Sequence, residues 1–596
     1  MNKWRIIIVA AAVVLGGLYA LARLALQANS TAEVPVVAVE QPPAPYPADF
    51  EAQLGRLTHI AVSLHTEGEL PRRIPWQTAE SFPNIGSPQA QKGGCLRVSN
   101  VGPYPANFLA FGSPSPQFFH YNLFDCIEVP LVREHPQTGQ TIPGLANAWA
   151  SYDGMLWFRL DSRARYSNGR PVRAADFALS ILLRHRTGDA AIGHFAEELH
   201  VYGDAVLAVR PKQMSYAAHL RAAAYLRPAE PGFYREFGAD YTTRYAQRIP
   251  PTTGAYTVRK TRRGRLICLS RNPHWWARDI KGFRFTHNAD TIEHHFLTDE
   301  AQAWELFLRG KLDMMQTRNI VAWQDKLRQA DARIILHRFT LRYPMPPYGI
   351  ALNAEQLPNI YLRRGLLHAM DMQKAMNVIF RGEAEQLPRF ASGYNMPESA
   401  PLCYAYSPQA AEQCFLAAGY THRGKDGIWQ KADGTRLSVR LAFSPSEKIS
   451  TLVALLAQSA ARCGAEIIAD PRPWQNCASL VQDKRHHMLF WATVAARPLP
   501  DYRSAFHSSS TGVNAPFCLQ HPPMDAAIEA LETAATQQQV SAACAEVEQL
   551  IQHLAIWLPG WMENQVNVAA WPHVQLPRAD YAVYDVVDAH TLWITP

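Results

Sequence analysis

The chain has 596 residues, of which 48% are hydrophobic and 18% are charged. These fractions argue against a disordered chain, a fibre and a membrane protein with many spans, and they indicate a large globular protein of two or more lobes. Lysine and arginine outnumber aspartate and glutamate by 58 to 51, and three of the cations lie in the first 28 residues. The remaining excess is small and dispersed, so the composition does not indicate a nucleic-acid partner.

The N-terminal segment has the pattern of an export signal. Lys3 and Arg5 precede residues 6–22, which carry no charge, and Ala20-Leu21-Ala22 offers a cleavage site. A basic start followed by an apolar run is typical of a secretory signal, although this run is long for a signal and short for a membrane span. We therefore expect residues 1–28 to be a signal peptide or an N-terminal membrane anchor. A lipid-modified N-terminal cysteine is excluded because the first cysteine is Cys95.

The cysteines do not form a recognisable metal or redox motif. There are nine, an odd number, and no two of them stand in a Cys-x-x-Cys pair. This spacing disfavours a zinc knuckle and a thioredoxin-type site. An oxidising compartment leaves room for one or two disulfides with at least one thiol left over, but we favour buried single thiols for most of them.

Residues 29–91 are predicted to be a proline-rich linker followed by an N-terminal extension. Five prolines lie between residues 35 and 47, and prolines at this density favour an extended linker. Residues 48–91 show no clear periodicity. We expect the folded core to begin at Lys92, where Gly93-Gly94 leads into a short alternating strand.

Strand signals follow in the first half of the chain. The alternation across residues 156–160, after the turn Asp153-Gly154, predicts a half-buried strand. Arg263-Gly264 predicts a hairpin between residues 255–260 and 265–270.

Helices are predicted from their caps. A helix is predicted from Asp299 to Arg309, with Gln302 in the capping-box position and Gly310 as the stop. Ser407-Pro408 opens another helix.

The second half continues this alternation. Asp433-Gly434 is predicted to join strands at 427–430 and 437–441. Two late helices are predicted at about 523–535 and 538–553. No repeat of fixed period occurs, which disfavours a solenoid or a propeller.

At this point the ordered motifs resemble a known family. The chain is similar to the large extracellular solute-binding proteins of the dipeptide/oligopeptide type (family 5), which serve ABC importers, and within them to the YejA-like subgroup. The similarity runs from about residue 92 to the C-terminus. It rests on these stretches: Ile142–Trp149, Asp153-Gly154, Phe158–Leu160, Ala164–Phe177, Pro251–Tyr256, Arg271–Trp276, Ala351–Asn353, Leu362–Asp371, Ala418–Tyr420, Asp426–Trp429, Phe506–Ser508 and Trp557–Met562. One departure is Arg173, which stands where the family usually has a threonine helix cap.

The resemblance implies an α/β chain with the two-lobed periplasmic binding protein fold, type II, of the large peptide-binding subclass, with mixed sheets and a hinge. Lobe I would hold residues 92–340 and the return at 536–596, and lobe II residues 341–535. It also implies a periplasmic protein, soluble or tethered to the inner membrane by residues 6–26, and a monomer. The expected partners are an oligopeptide or peptide-like solute and an ABC permease and ATPase complex, with no nucleic acid, no cofactor and no enzymatic activity.

The family pattern also implies which segments contact the ligand. A receptor for varied peptides must hold the peptide backbone and its charged ends. The candidates by position are Asn100, Gly102, Phe119, Tyr121, Asn122, Tyr348, Asn353, Trp491, Thr493, Arg497 and Asp501. Arg497 is suited to a ligand carboxylate, and Asp501 is the nearest acid to a ligand amino terminus. The alternatives are that the aromatics are core residues and that Arg497 and Asp501 are an ordinary exposed loop pair.

Other chemistry receives little support from the residues. The histidine pairs at 294–295 and 486–487 point apart on a strand or helix, so they are poorly placed to share a metal ion. The sequence has no HExxH, P-loop or Gly-x-Ser-x-Gly motif. An exported hydrolase stays open because catalytic triads need not be local in sequence. Within the binding class, a glycan, an opine or a chelated metal is the alternative ligand, since the fold does not fix the ligand.

Overall fold

The computed structural model describes most of the chain. The described residues are 32–33, 46–47, 49–111, 127–136, 138–189, 192–216, 218–317, 323–325, 333–341, 345–392, 394, 404–493, 499–510, 512–576, 581–582 and 591–595. Within these ranges, no helix is long and apolar enough to cross a membrane. The predicted signal or anchor at 1–28 lies outside them.

The strands are distributed along the whole chain. In chain order they are β1 Ala32–Glu33, β2 Ala61–His65, β3 Cys95–Val101, β4 Val132–Glu134, β5 Thr141–Pro143, β6 Ala146–Tyr152, β7 Met155–Leu160, β8 Ala196–Tyr202, β9 Val206–Pro211, β10 Tyr256–Arg262, β11 Leu266–Arg271, β12 Thr291–Leu297, β13 Met314–Thr317, β14 Ile335–Leu341, β15 Tyr348–Leu352, β16 Tyr420–Arg423, β17 Trp429–Lys431, β18 Ser438–Phe443, β19 Glu466–Pro471, β20 Met488–Ala492, β21 Trp557–Pro559, β22 Gln565–Ala570, β23 Val574–Gln575, β24 Tyr581–Ala582 and β25 Trp593–Ile594.

The helices alternate with these strands. They are α1 Phe50–Leu54, α2 Ala174–Arg186, α3 Ile192–Phe195, α4 Ala218–Tyr225, α5 Tyr241–Arg244, α6 Glu300–Leu308, α7 Ile360–Ala369, α8 Met372–Ile379, α9 Pro408–Ala417, α10 Glu447–Arg462, α11 Trp474–Gln482, α12 Tyr502–Phe506, α13 Pro522–Thr533 and α14 Gln537–His553, with short 3-10 turns at Glu67–Glu69 and Phe233–Glu236.

Two sheets share the core of the first lobe. The larger has nine strands in the order β1-β10-β11-β12-β3-β13-β22-β14-β24, and the smaller has the order β2-β8-β9-β7-β6. Leu96 and Ile267 of the larger sheet and Phe158 of the smaller sheet belong to one buried cluster, together with Phe177 of α2. The two sheets and the helix are therefore one folded unit.

The second lobe is built on a five-stranded sheet. Its order is β19-β18-β20-β15-β21, with β18, β19 and β20 parallel and β15 antiparallel to β20. Helices α7, α9 and α10 cover it through Leu366, Phe415 and Leu452, which are fully buried.

Several predicted elements are confirmed. Residues 256–262 and 266–271 form the predicted hairpin. Asp299 accepts a hydrogen bond from the Gln302 backbone N–H, as a helix cap should. Ser407 caps α9 with a proline in its first turn, and Arg173 gives no side-chain cap to α2.

Other predicted elements are wrong in part. The strand at 155–160 is buried on both faces rather than half-buried, because Ile74 and Trp76 cover Trp157. The turn at Asp433-Gly434 does close an antiparallel hairpin, since Gln430 and Arg436 form a bridge and the Leu437 N–H donates to the Trp429 carbonyl at 2.8 Å, but this hairpin is short. Trp429–Lys431 pairs with Tyr420–Arg423, whereas Ser438–Phe443 joins the five-stranded sheet through its parallel partners.

The predicted lobe boundaries differ from the observed strand pairing at two points, the start of the folded region and the return of the chain to the first lobe. β2 pairs in parallel with β8, and Phe50 and Leu54 lie in the core of the first lobe. Folded structure therefore begins well before Lys92, so residues 50–91 are not a linker or a separate extension. At the other end of the chain, α14 and β21 still belong to the second lobe. The chain returns to the first lobe at residues 560–564, and not at residue 536 as predicted.

Candidate functional site

The strand directions show which edges of the two main sheets face each other. In the nine-stranded sheet, β3, β12 and β13 run parallel, and β22 is antiparallel to β13 and β14. Two segments, residues 342–347 and 560–564, connect this sheet to the five-stranded one. Both leave the first sheet where β14 ends and β22 begins, at the carboxyl ends of its parallel strands. Both reach the second sheet where β15 begins and β21 ends, beside the carboxyl end of β20.

This topology brings the carboxyl ends of the parallel strands of both sheets to the two crossing segments. In open α/β sheets, ligands bind outside the carboxyl ends of parallel strands. The candidate site is therefore the region around the two crossing segments.

The crossing segments are held tightly at the second lobe. The Tyr348 backbone N–H donates to the Trp561 carbonyl at 2.7 Å, and the Gly560 N–H donates to the Tyr348 carbonyl at 2.9 Å. The Tyr348 and Trp561 rings stack at 5.3 Å. Gly349 must be glycine because a Cβ there would lie 2.4 Å from the Leu558 carbonyl oxygen.

An aromatic pair lies at the edge of the second sheet. Trp474 opens α11 directly after β19, and Trp491 lies near the end of β20. Their rings stack at 6.1 Å with 14° between the planes. Trp491 is buried, but Trp474 is 54% exposed. A large exposed ring supported on one side by a buried ring can stack against a ligand on its other side.

Two polar atoms at this edge are buried without a hydrogen bond to any residue that the structure describes. They are the Thr493 Oγ1 hydroxyl and the Trp561 Nε1–H. Leaving such a group unsatisfied costs about 1–3 kcal/mol. Both side chains are 3% exposed, so a ligand or ordered water that enters the candidate site can recover this cost.

Two cations described at the second lobe's edge are each paired with an acid. Lys448, in the first turn of α10, lies 3.4 Å from Glu563 of the crossing segment, and its ammonium group lies 5.5 Å from the centre of the Trp561 ring. Arg472, before α11, pairs with Asp470 at 2.9 Å. This edge therefore combines aromatic surface with internally balanced charge.

The first lobe contributes the end of β3. Asn100 Nδ2 lies 3.0 Å from His294 Nδ1. Burial, followed by the neighbouring His295, lowers the pKa of His294 to about 4, so its ring is neutral at neutral pH and its Nδ1 can accept from the amide. Gly102 follows, with its N–H donating to the Leu297 carbonyl at 3.1 Å.

The structure brings together some of the predicted site residues and separates others. Tyr348, Trp491 and Thr493 lie together, since Tyr348 pairs with Ala492 and the Thr493 N–H donates to the Pro347 carbonyl. Asp501 caps α12 by accepting hydrogen bonds from the backbone N–H and the hydroxyl of Ser504. Four predicted residues lie outside the described part of the chain: Phe119, Tyr121, Asn122 and Arg497.

Asn353 is a wrong prediction. It follows the opposite end of β15 from Tyr348, and five residues of strand span about 17 Å. Its side chain is fully buried and donates to the carbonyls of Lys484 and His486, while it accepts from the N–H groups of Glu355 and Gln356. The amide has no capacity left for a ligand and instead joins two loops.

Sequence reasoning missed Trp474, Lys448 and Glu563 as site residues. The signal for Trp474 was present, since Pro471-Arg472-Pro473 ends a predicted strand and a proline before a tryptophan can open a helix. The pairing of Lys448 with Glu563 joins positions 115 residues apart, and no local pattern carries it. Among the described residues, no three metal-ligating side chains converge on one point.

Comparison with known proteins identifies the family of this chain. The family model for bacterial extracellular solute-binding proteins, family 5 Middle, matches residues 140–515. This chain belongs to that family. The predicted family membership is confirmed.

Known relatives match parts of the chain. The protein YejA of Escherichia coli is 24% identical over 243 residues, which cover 40% of this chain and 39% of YejA. The matched regions span only about a quarter to two fifths of the curated relatives' own lengths.

Two solved structures show the same fold. NikA from Brucella suis, in complex with Fe(III)-EDTA, has a TM-score of 0.68 at 18% identity and covers 84% of this chain and 100% of its own. The oligopeptide-binding protein AppA from Bacillus subtilis, in complex with a nonapeptide, has a TM-score of 0.64 at 15% identity and covers 85% and 100%. The predicted α/β two-lobed binding-protein fold is confirmed.

Proposed function

We propose that this chain is the solute-binding component of an ABC importer, which captures an oligopeptide or peptide-like solute between its lobes without changing it covalently. It acts in the periplasm, most simply as a monomer, and delivers the solute to a permease and ATPase complex in the inner membrane. The observation that carries the proposal is the topology: both crossing segments join the carboxyl-end edges of two sheets, and those edges form the cleft.

The chemistry of the cleft supports a ligand with little net charge and with apolar side chains. Trp474 offers an exposed ring, and Thr493 and Trp561 offer unsatisfied polar atoms. Peptides present backbone carbonyls and N–H groups that can meet such atoms. Asn100, Gly102 and Asp501 remain proposed contacts, as do Phe119, Tyr121, Asn122 and Arg497.

A chelated metal is the second candidate ligand, because the related NikA fold was solved with Fe(III)-EDTA. An anionic chelate needs free cations to bind it. The cations described at the second lobe's edge, Lys448 and Arg472, are each paired with an acid. Of the proposed contacts, Arg497 is then the cation that would meet a ligand carboxylate. One such charge suits the carboxyl end of a peptide better than a multiply charged chelate, and a glycan or an opine stays the alternative ligand.

The experiment is thermal unfolding of the metal-free protein with a peptide mixture, a set of metal chelates, or buffer alone. A ligand that binds only the folded state stabilises it by RT ln(1+[L]/Kd). We expect stabilisation by peptides and recovery of those peptides unchanged by mass spectrometry. Stabilisation by chelates alone would favour the second candidate, and recovery of cleaved peptides would show a hydrolase.

A further inference from the structure

The hairpin between β10 and β11 carries a concentrated positive charge that solute binding does not use. Residues 259–265 contain five cations and no acid: Arg259, Lys260, Arg262, Arg263 and Arg265. The four arginines are exposed and the lysine is partly exposed. Within the described residues, none of the five forms an ion pair, whereas the nearby Arg271 is paired with Asp290.

A bulge and a tight turn define the local geometry of the hairpin. The register shifts between Val258 and Lys260, so Arg259 is an extra residue on its strand. The turn closes with the Arg265 N–H donating to the Arg262 carbonyl at 2.9 Å, and Gly264 supplies the positive φ of 73° that the turn needs.

The acids on the strands that flank the hairpin are too few to neutralise its five cations. On one side, Glu33 of β1 stands opposite Lys260. The acid on β12 closest in the sheet is Glu293, which stands opposite Cys268. Its carboxylate lies 3.3 Å from His295. The hairpin therefore presents an unbalanced positive surface at one end of the first lobe.

The position of the hairpin relative to the N-terminus indicates what this surface faces. The short strand β1 pairs with β10, with Ala32 opposite Thr261 and Glu33 opposite Lys260. The segment predicted to be a signal or membrane anchor ends at residue 28. Four residues of extended chain span at most about 14 Å, so an anchor held in a membrane would keep the hairpin close to that surface.

We propose that this basic hairpin binds the anionic headgroups of phospholipids at the membrane surface. Each guanidinium can hold phosphate oxygens in a bidentate manner, and clustered cations near an anionic bilayer are attracted to it. The contact would orient the first lobe on the membrane beside the N-terminal segment. This inference goes beyond solute capture and does not depend on the identity of the solute.

The test measures binding of the full chain to vesicles of phosphatidylcholine alone and to vesicles that also contain phosphatidylglycerol. The variant is the triple substitution Arg262→Gln, Arg263→Gln and Arg265→Gln. The matched control removes the same charge from exposed residues elsewhere, through Arg72→Gln, Arg73→Gln and Lys425→Gln. All three proteins keep the apolar N-terminal segment, so binding to neutral vesicles reports that segment alone.

We expect the unsubstituted chain and the control to prefer the anionic vesicles. The hairpin variant should lose this preference, by a factor on the order of 100 in binding for three cations. Raising the salt from about 0.1 M to about 1 M shortens the screening length from about 10 Å to about 3 Å, so the preference should disappear there too.

Two outcomes overturn the proposal. One is equal preference for anionic vesicles in the hairpin variant and the control. The other is no preference for anionic vesicles in the unsubstituted chain, which would leave an acidic protein surface as the partner of the hairpin. Unchanged thermal unfolding of the variant shows that a loss of binding is not a loss of folding.

Discussion

At the scale of a single residue, a substitution of Trp474 can change ligand affinity without changing the stability of the fold. Its ring is 54% exposed and rests on Trp491, so Trp474→Ala removes a stacking surface without opening the core. Aromatic stacking contributes about 0.5–1.5 kcal/mol, which corresponds to about a 2- to 12-fold loss of affinity. Calorimetric titration with the co-purified ligand measures this loss.

The control for this prediction is Tyr361→Ala. Tyr361 is 46% exposed, but it lies on α7, which follows the opposite end of β15. We expect Tyr361→Ala to leave affinity unchanged. Equal affinity in both variants would exclude Trp474 from the ligand contact.

His486 gives the molecule a predictable response to pH. Burial lowers the pKa of His486, although its ring nitrogens face the carbonyls of Pro516 and Leu480. A depressed pKa in the folded state means that the unfolded chain binds a proton first as the pH falls below about 6.5. The neutral ring therefore contributes stability above that pH, and this contribution is lost as the pH falls.

The measurement is urea unfolding of the chain and of His486→Gln at neutral pH and near pH 5. Relative to the variant, the unsubstituted chain should lose more stability on acidification. The same loss in both proteins would show that His486 does not titrate differently on folding.

The predicted site residues that lie together in the structure, and the one that lies apart from them, differ in a physical way. Tyr348 and Asn353 lie at the two ends of one strand, which spans Tyr348–Leu352. The family pattern named both residues as candidate contacts. It did not show which end of the strand met the crossing segments, because that depends on β20 and β21, which lie far away in the chain. Trp491 and Thr493 lie at the same end as Tyr348 because Trp491 is near the end of β20 and Thr493 follows it directly.

At the scale of elements, the structure assigns α1 and β2 to the core of the first lobe. Leu54 is 1% exposed and belongs to the main buried cluster. Leu54→Ala should therefore destabilise the protein by about 2–5 kcal/mol. Chemical denaturation measures this change against Leu416→Ala, a matched control that is 48% exposed.

If residues 48–91 were a linker, both leucine variants would unfold alike. A stability loss in Leu54→Ala alone supports the early start of the fold. The sequence did not reveal this because β2 is a parallel edge strand whose partner, β8, lies more than 130 residues away.

Elements with local signals were predictable, whereas pairings were not. Caps such as Asp299 and Ser407 act within three residues, and the structure shows both. The turn at Asp433-Gly434 also has a local signal and closes a short antiparallel bridge between Gln430 and Arg436. Beyond that bridge the second strand pairs with β19 and β20, which bury Val439 and Leu441, and this burial outweighs a longer hairpin.

At the scale of the whole molecule, the family resemblance predicted the two-lobed fold, and the topology explains how it works. Two short segments connect the lobes, and one of them carries Trp561 and Glu563, which contact Tyr348 and Lys448 of the second lobe. One buried cluster also joins Trp304, Phe307 and Met315 of the first lobe to the core of the second lobe, so rotation about the two segments repacks those side chains. A ligand that contacts both edges favours the closed arrangement.

Small-angle X-ray scattering during a ligand titration tests this account most directly. We expect the radius of gyration to fall as the co-purified ligand saturates the protein, because the lobes close over it. The affinity from the scattering change should match the affinity from calorimetry. Ligand binding that leaves the scattering curve unchanged would contradict capture by closure of the two lobes.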